Sequence, residues 1–205
     1  TYNHCMTEAQ VILKPRKARP FYGRHPWVLD SAVDRIEGVP AAGDVVDLLS
    51  DKGKFIARGI FNGRSRIRVR LYTWNVAEAL DEAFWRRRLE SAIRFREQLG
   101  YDDPQGAARL VFSEGDGLSG LVVDRYADFL AVQVTALAMS VRLPQMVSML
   151  AELTHPQGII IRTERGVSRA EGLDLRDGPY WGHAPDGPLA IVDGGLKYEL
   201  DLAEG

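Results

Sequence analysis

The sequence predicts a mainly β first half joined by one helix to an α+β second half. Three stretches carry that expectation. "RIRVRLYTW" (66–74) alternates strictly, with Ile67, Val69 and Leu71 on one face and Arg66, Arg68, Arg70 and Tyr72 on the other. That is the period of a half-buried strand. "LDEAFWRRRLESAIRFREQL" (80–99) instead spaces Phe84, Trp85, Leu89, Ala92, Phe95 and Leu99 along one helical stripe. "FSEGDGLSGLVVDRY" (112–126) places three glycines between two apolar runs, as a turn between strands does.

In the first half, Val11-Ile12-Leu13, "DVVDLL" (44–49), "KFIARGIF" (54–61) and "RIRVRLYTW" read as four strands. "SDKG" (50–53) is a hairpin turn in which Gly53 is free to take positive φ. Short strands at this spacing predict a closed or nearly closed small barrel. The helix runs from about 81 to 99, capped by Asp81 and stopped by Gly100. Beyond it, "ARLVFSE" (108–114), "GLVVDRY" (120–126) and "FLAVQVT" (129–135) are successive strands, the last two joined tightly through Ala127-Asp128. A helix over 143–153 follows, with Pro144 in its first turn, then a strand "GIIIRT" (158–163). "RDGPYWGHAPDGP" (176–188) reads as a loop and "KYELDL" (197–202) as a last strand.

Charge divides the same way. Residues 1–75 hold 13 Lys and Arg against 7 Asp and Glu, whereas residues 100–205 hold 8 against 16. A polyanion is the natural partner of the basic half. No apolar run approaches the roughly 20 residues of a membrane helix. The single cysteine, Cys5, allows no internal disulfide and suits a reducing compartment, so the expected location is the cytoplasm.

The basic half offers two candidate RNA contacts. "RSRIRVR" (64–70) sets Arg64, Arg66, Arg68 and Arg70 in a row, a pitch at which guanidinium groups can take phosphates, and "KPRKAR" (14–19) adds Lys14, Arg16 and Lys17. In "GRHPWV" (23–28), Arg24 suits a phosphate and His25 or Trp27 could stack on an unpaired base; against that, Trp27 reads first as core, with Val28. A zinc site finds no support, because His4, His25, His155, His183 and Cys5 lack ligand spacing. "GDGLSG" leads into a strand rather than a helix N-terminus, which excludes a Rossmann or P-loop cradle. Glu114, Asp116 and Asp124 lack the order of a calcium loop. A hydrolase using Glu114 and Asp116 and a non-enzymatic RNA-binding adaptor in ribosome assembly remain as alternatives.

"GRHPWV", "GDVVDLLSDKGKFIARGIFN" (43–62) and "RIRVRLYTW" together resemble the N-terminal PUA domain of bacterial class I methyltransferases acting on large-subunit ribosomal RNA. The resemblance continues through the helix, "RLVFSEGDGLSGLVVDRYADFLAVQV" (109–134), "RAEGL" (169–173) and "GLKYELDLAEG" (195–205), and is nearest to the enzymes that make 5-methylcytosine in 23S rRNA. Around "RTERGVSRAEGL" (162–173) the family pattern is kept at Arg165, Arg169, Glu171 and Gly172, without its Ser-Asp pair.

The resemblance implies a PUA-like barrel over 9–76, a connector helix over 77–100 and a central α+β domain over 101–205. A C-terminal Rossmann-like methyltransferase domain that binds S-adenosylmethionine is expected to be absent from this chain. The catalytic residues would lie in that domain, where a cysteine thiolate adds to C6 of cytosine and activates C5, so the fragment alone is expected to be inactive. RNA contact is assigned to Lys14, Arg16, Lys17, Arg24, His25, Arg64, Arg66, Arg68 and Arg70. Glu114, Asp116, Asp124, Arg125, Arg169 and Glu171 are assigned to the wall of the active-site cleft or to the interface with the absent domain. The implied partners are large-subunit rRNA and that domain; a homodimer is compatible with the reading, and no metal or membrane is expected.

Overall fold

The computed structural model describes residues 9–193 and 195–202, so His4, Cys5 and the last three residues of "GLKYELDLAEG" lie outside the described residues. The chain forms two compact units. The first takes in the chain up to Trp85 together with Arg169–Gly172; the second takes in Arg86–Ser168 and the chain from Leu173 onward.

The first unit contains β1 (Gln10–Leu13), a single helical turn α1 (Arg19–Tyr22), β2 (Trp27–Leu29), β3 (Val33–Glu37), β4 (Val45–Leu49), β5 (Phe55–Phe61) and β6 (Ile67–Thr73). They make one six-stranded sheet in the order β2-β6-β5-β4-β1-β3. Its two end strands, β2 and β3, are joined by only a 3-10 turn, Asp30–Ala32. Six strands laid flat would set those edges about 24 Å apart at the usual ~4.8 Å spacing. The link from Leu29 to Val33 can span only about 14 Å. The sheet therefore has to curl until its edges meet at this turn. There Asp30 N donates to Arg66 O at 2.9 Å and Lys14 N to Ala32 O at 3.0 Å. The expected barrel is thus closed by a turn, not by a ladder between β2 and β3.

Val11, Leu13, Val28, Val46, Leu48, Ala57, Val69 and Leu71 fill the inside of the curl. The "SDKG" turn forms as expected, with Gly53 at φ +72°. The half-buried reading of β6 is corrected: from Val69 to Thr73 every residue is buried. Tyr72 is covered by Trp85, ring centroids 4.9 Å apart, and Arg70 is covered by Glu171. Both covers come from beyond the strand in sequence, so local alternation could not register them.

The connecting helix α2 (Glu82–Gln98) begins where Asp81 Oδ1 accepts a hydrogen bond from Phe84 N at 2.8 Å. Phe84, Trp85, Leu89 and Ala92 are buried, but Phe95 and Leu99 are exposed, so the apolar stripe is covered only over the first part of the helix.

In the second unit, β7 (Ala107–Phe112), β8 (Leu121–Tyr126) and β9 (Phe129–Val134) form an antiparallel meander. Ala127 turns the β8–β9 hairpin at φ +48°. The short α3 (Leu137–Ser140) and α4 (Leu143–Thr154) then carry the chain to β10 (Gly158–Arg162), parallel to β9. Leu143, Met146, Val147, Met149 and Leu150 are the buried positions of α4, at helical spacing. After α5 (Arg165–Glu171) comes β11 (Gly178–Gly182), antiparallel to β10. The expected loop over 176–188 therefore contains an edge strand, disguised by Pro179 and two flanking glycines. β12 (Leu189–Asp193) and β13 (Leu196–Leu200) form a separate hairpin. Among the described residues no helix is long and apolar enough to cross a membrane.

Candidate nucleic-acid interface

The corner between α1 and β2 is built by short-range bonding around one buried ring, Phe21. Trp74 Nε1 donates to Phe21 O at 2.7 Å, fixing the turn. Arg24 N donates to Phe21 O at 3.0 Å and His25 N to Pro20 O at 3.1 Å, which leaves Arg24 in the left-handed region at φ +61°. Trp27 N donates to His25 Nδ1 at 3.2 Å, so the imidazole carries its N–H at Nε2. Arg24 and His25 are exposed. Val28 is core as expected, but Trp27 is not: it is 38% exposed, because it sits on the outer face of an edge strand.

The arginine row does not act as one set. Arg64 and Arg66 are exposed and Arg68 is half-buried, its guanidinium donating to Gly63 O. Arg70 is buried, with Nη2 at 3.1 Å from Glu171 Oε1 and its guanidinium carbon 5.7 Å from the centre of the Trp27 ring. Its geometry corrects the picture of four arginines presented together. A register shift in the β2–β6 ladder contributes: Val28 faces Val69 and Leu29 faces Ile67, so Arg68 lies at the bulge between them. Lys14, Arg16 and Lys17 are exposed beyond β1, and Lys14 Nζ donates to Ser31 O at 3.1 Å.

Glu171 is the centre of a buried polar cluster that sequence reasoning did not assemble. Its Oε1 accepts from Ser65 Oγ at 2.7 Å as well as from Arg70, and Asn62 Nδ2 donates to its backbone oxygen at 3.0 Å. Within "FNGRS" (61–65), Asn62 and Ser65 look like ordinary turn residues, and nothing local marks them as partners of Glu171. Arg169 is exposed, so within "RAEGL" the buried anchor is Glu171.

The carboxylates of the second unit pair locally. Asp116 takes both Nη atoms of Arg96, at 2.6 and 2.8 Å, and accepts from Phe112 N. Glu114 Oε1 accepts from Ser119 Oγ at 2.6 Å. Asp124 holds Arg109 at 2.8 and 3.0 Å, and Arg125 Nη2 donates to Tyr101 O and Asp103 O. The hydrogen bond to Asp124 raises the Arg109 pKa, while burial, then the Asp124 charge, raises that of Tyr126. Among the described residues no cluster fit for a metal occurs.

The glycine loop is closely packed against its own unit. It runs from a 3-10 turn, Ser113–Asp116, into β8, and the space a side chain would take at Gly117 is met by Arg88 at 3.1 Å. At Gly120 that space is met by the Ala136 Cβ at 2.3 Å, with the backbone at φ +91°. Gly120→Ala is therefore expected to cost about 2–3 kcal/mol, from left-handed strain and overpacking together. A thermal melt of the variant reads this directly; an unchanged midpoint would contradict the close approach.

Residues 11–74 match the family of the PUA-like domain. The chain is 33% identical over 196 residues to ribosomal RNA large subunit methyltransferase I of Escherichia coli O127:H6, covering 96% of this chain and 50% of that protein. The Escherichia coli K12 protein of the same name gives the same identity and coverage. Among solved structures, a protein from Streptococcus mutans assigned as a SAM-dependent methyltransferase superposes with a TM-score of 0.74 at 13% identity, over 93% of this chain and 47% of that one. A second, assigned as a methyltransferase and solved with SAH, gives 0.71 at 16%, over 93% and 46%. The chain spans about half the length of the curated relatives it matches. It contains a PUA-like domain over residues 11–74, and through both of its units it is homologous to about half of ribosomal RNA large subunit methyltransferase I.

Proposed function

We propose that this chain is the RNA-gripping portion of a cytoplasmic, S-adenosylmethionine-dependent methyltransferase that modifies C5 of a cytosine in large-subunit rRNA. The observation that carries the reading is the 33% identity running through both units to rRNA methyltransferases. The exposed cations of the first unit support it: Lys14, Arg16, Lys17, Arg24, Arg64 and Arg66 lie on a PUA-like domain, and phosphate is what such a surface takes. In this reading the first unit holds the RNA around the target, and methyl transfer belongs to the longer enzyme. Glu114, Asp116, Asp124, Arg125 and Arg169 stand beside that chemistry as structural or interface residues, and the locally bonded state of Glu114 and Asp116 does not favour a hydrolase.

Arg66→Ala combined with Arg68→Ala is expected to weaken RNA binding and to flatten the dependence of log K on log salt by about 1–2 in slope. A filter-binding titration over a salt series measures both. Unchanged affinity would remove this strand from the interface. The methyltransferase reading is tested on the full-length protein with labelled S-adenosylmethionine and undermethylated large-subunit rRNA, followed by nucleoside analysis. Label in a nucleoside other than 5-methylcytidine would overturn the cytosine assignment.

A further inference from the structure

We propose that Trp27 is a stacking platform for one unpaired base of the RNA, oriented from below by the Arg70–Glu171 pair; this rests on the RNA-binding reading above. An indole on an edge strand at 38% exposure leaves apolar surface in water. Tyr22 at 60% and Leu29 at 45% extend the same exposed corner. Cations surround these side chains in sequence and in register. Arg24 and His25 precede Trp27 by three and two positions, and Arg68 sits at the bulge opposite the Val28–Leu29 step. An exposed aromatic face with arginines close to it in sequence and register matches the two chemistries of a nucleotide, a π-face and a phosphate. Purely phosphate recognition would leave the exposed ring without a role.

The ring is also held in advance of binding. The Arg70 guanidinium lies 5.7 Å from its centre and is itself bonded to Glu171, which Ser65 and Asn62 hold. His25 stands edge-on to Trp27, centroids 6.0 Å apart, with Nδ1 engaged by the Trp27 backbone and an Nε2–H left to donate. Arg24 is kept in the left-handed region, a strained setting for a residue other than glycine and one that recurs at binding sites. A platform fixed in this way loses little freedom when a base stacks on it.

The test uses the whole chain and three fluorescein-labelled probes: a single-stranded RNA, the same strand in a duplex, and the same strand made abasic. Fluorescence anisotropy is read over a salt series. Trp27→Ala is expected to weaken single-strand binding about tenfold, to leave duplex and abasic binding unchanged, and to leave the salt slope unchanged. Trp27→Phe, which keeps an aromatic face, is expected to restore most of the loss. Equal losses on all three probes, or none on any, would overturn the stacking role while leaving RNA binding intact. Failure of the unaltered chain to bind any of the three would overturn the RNA reading itself, and this proposal with it. A melting curve for each variant separates lost stacking from lost folding, and Trp27→Phe keeps the proposal falsifiable if Trp27→Ala does not fold.

Discussion

Asp47→Ala is expected to destabilise the first unit by about 3–5 kcal/mol, a large share of the whole stability of a domain this size. Asp47 and Arg58 stand opposite each other on β4 and β5, and their side chains are 0% and 3% exposed. Arg58 Nε is 2.7 Å from Asp47 Oδ1, Nη2 is 3.4 Å from Oδ2, and Nη1 donates to Glu78 O at 2.7 Å. Removing the carboxylate leaves a guanidinium that cannot deprotonate inside a core that cannot hydrate it. Arg58→Met should cost less, because the carboxyl left behind can neutralise itself by taking up a proton. Replacing both, as Asp47→Leu with Arg58→Met, is expected to recover most of the loss, since an apolar pair carries no desolvation cost. Urea denaturation of the three variants and the parent settles the order. An Asp47→Ala loss below about 1 kcal/mol would mean that water reaches the pair.

That pair also marks where the sequence becomes hard to read. "DVVDLL" and "KFIARGIF" announce two strands and their turn through signals a few residues apart: alternation, Gly53, and the Asp81 cap further on. None of those signals says that Asp47 and Arg58 share a rung. Only the register does so, and register follows from the packing of the whole sheet. Arg70 fails in the same manner at longer range. Its place in an alternating Arg series reads as solvent-facing until Glu171, 101 positions later, covers it. Trp27 fails in the opposite sense, because an indole reads as core unless its strand is known to be an edge. β11 was hidden because Pro179 and glycines at both ends erase the strand pattern, and its pairing with β10 comes entirely from tertiary contact. By contrast Gly120 is legible as a turn residue, and the Ala136 it packs against lies just after β9.

Glu171→Ala should be the second most damaging change, at about 3 kcal/mol. It strands the Arg70 guanidinium, only 10% exposed, and takes an acceptor from Ser65. The loss should be local to the first unit, so hydrogen exchange at the β6 amides is the sharper measurement, with a thermal melt beside it. A cycle with Arg70→Ala is expected to return a coupling of about 1–3 kcal/mol. A coupling near zero would shift the anchor to the Asn62 bond with the Glu171 backbone oxygen, which the alanine variant keeps. Glu171→Gln separates stability from binding. It retains a side-chain oxygen for Ser65 and Arg70 but removes the charge that fixes the guanidinium under Trp27. If the platform is positioned through this pair, the glutamine variant should lose affinity for single-stranded RNA while abasic and duplex affinities hold. If Glu171 only braces the fold, any loss should fall on all three probes alike.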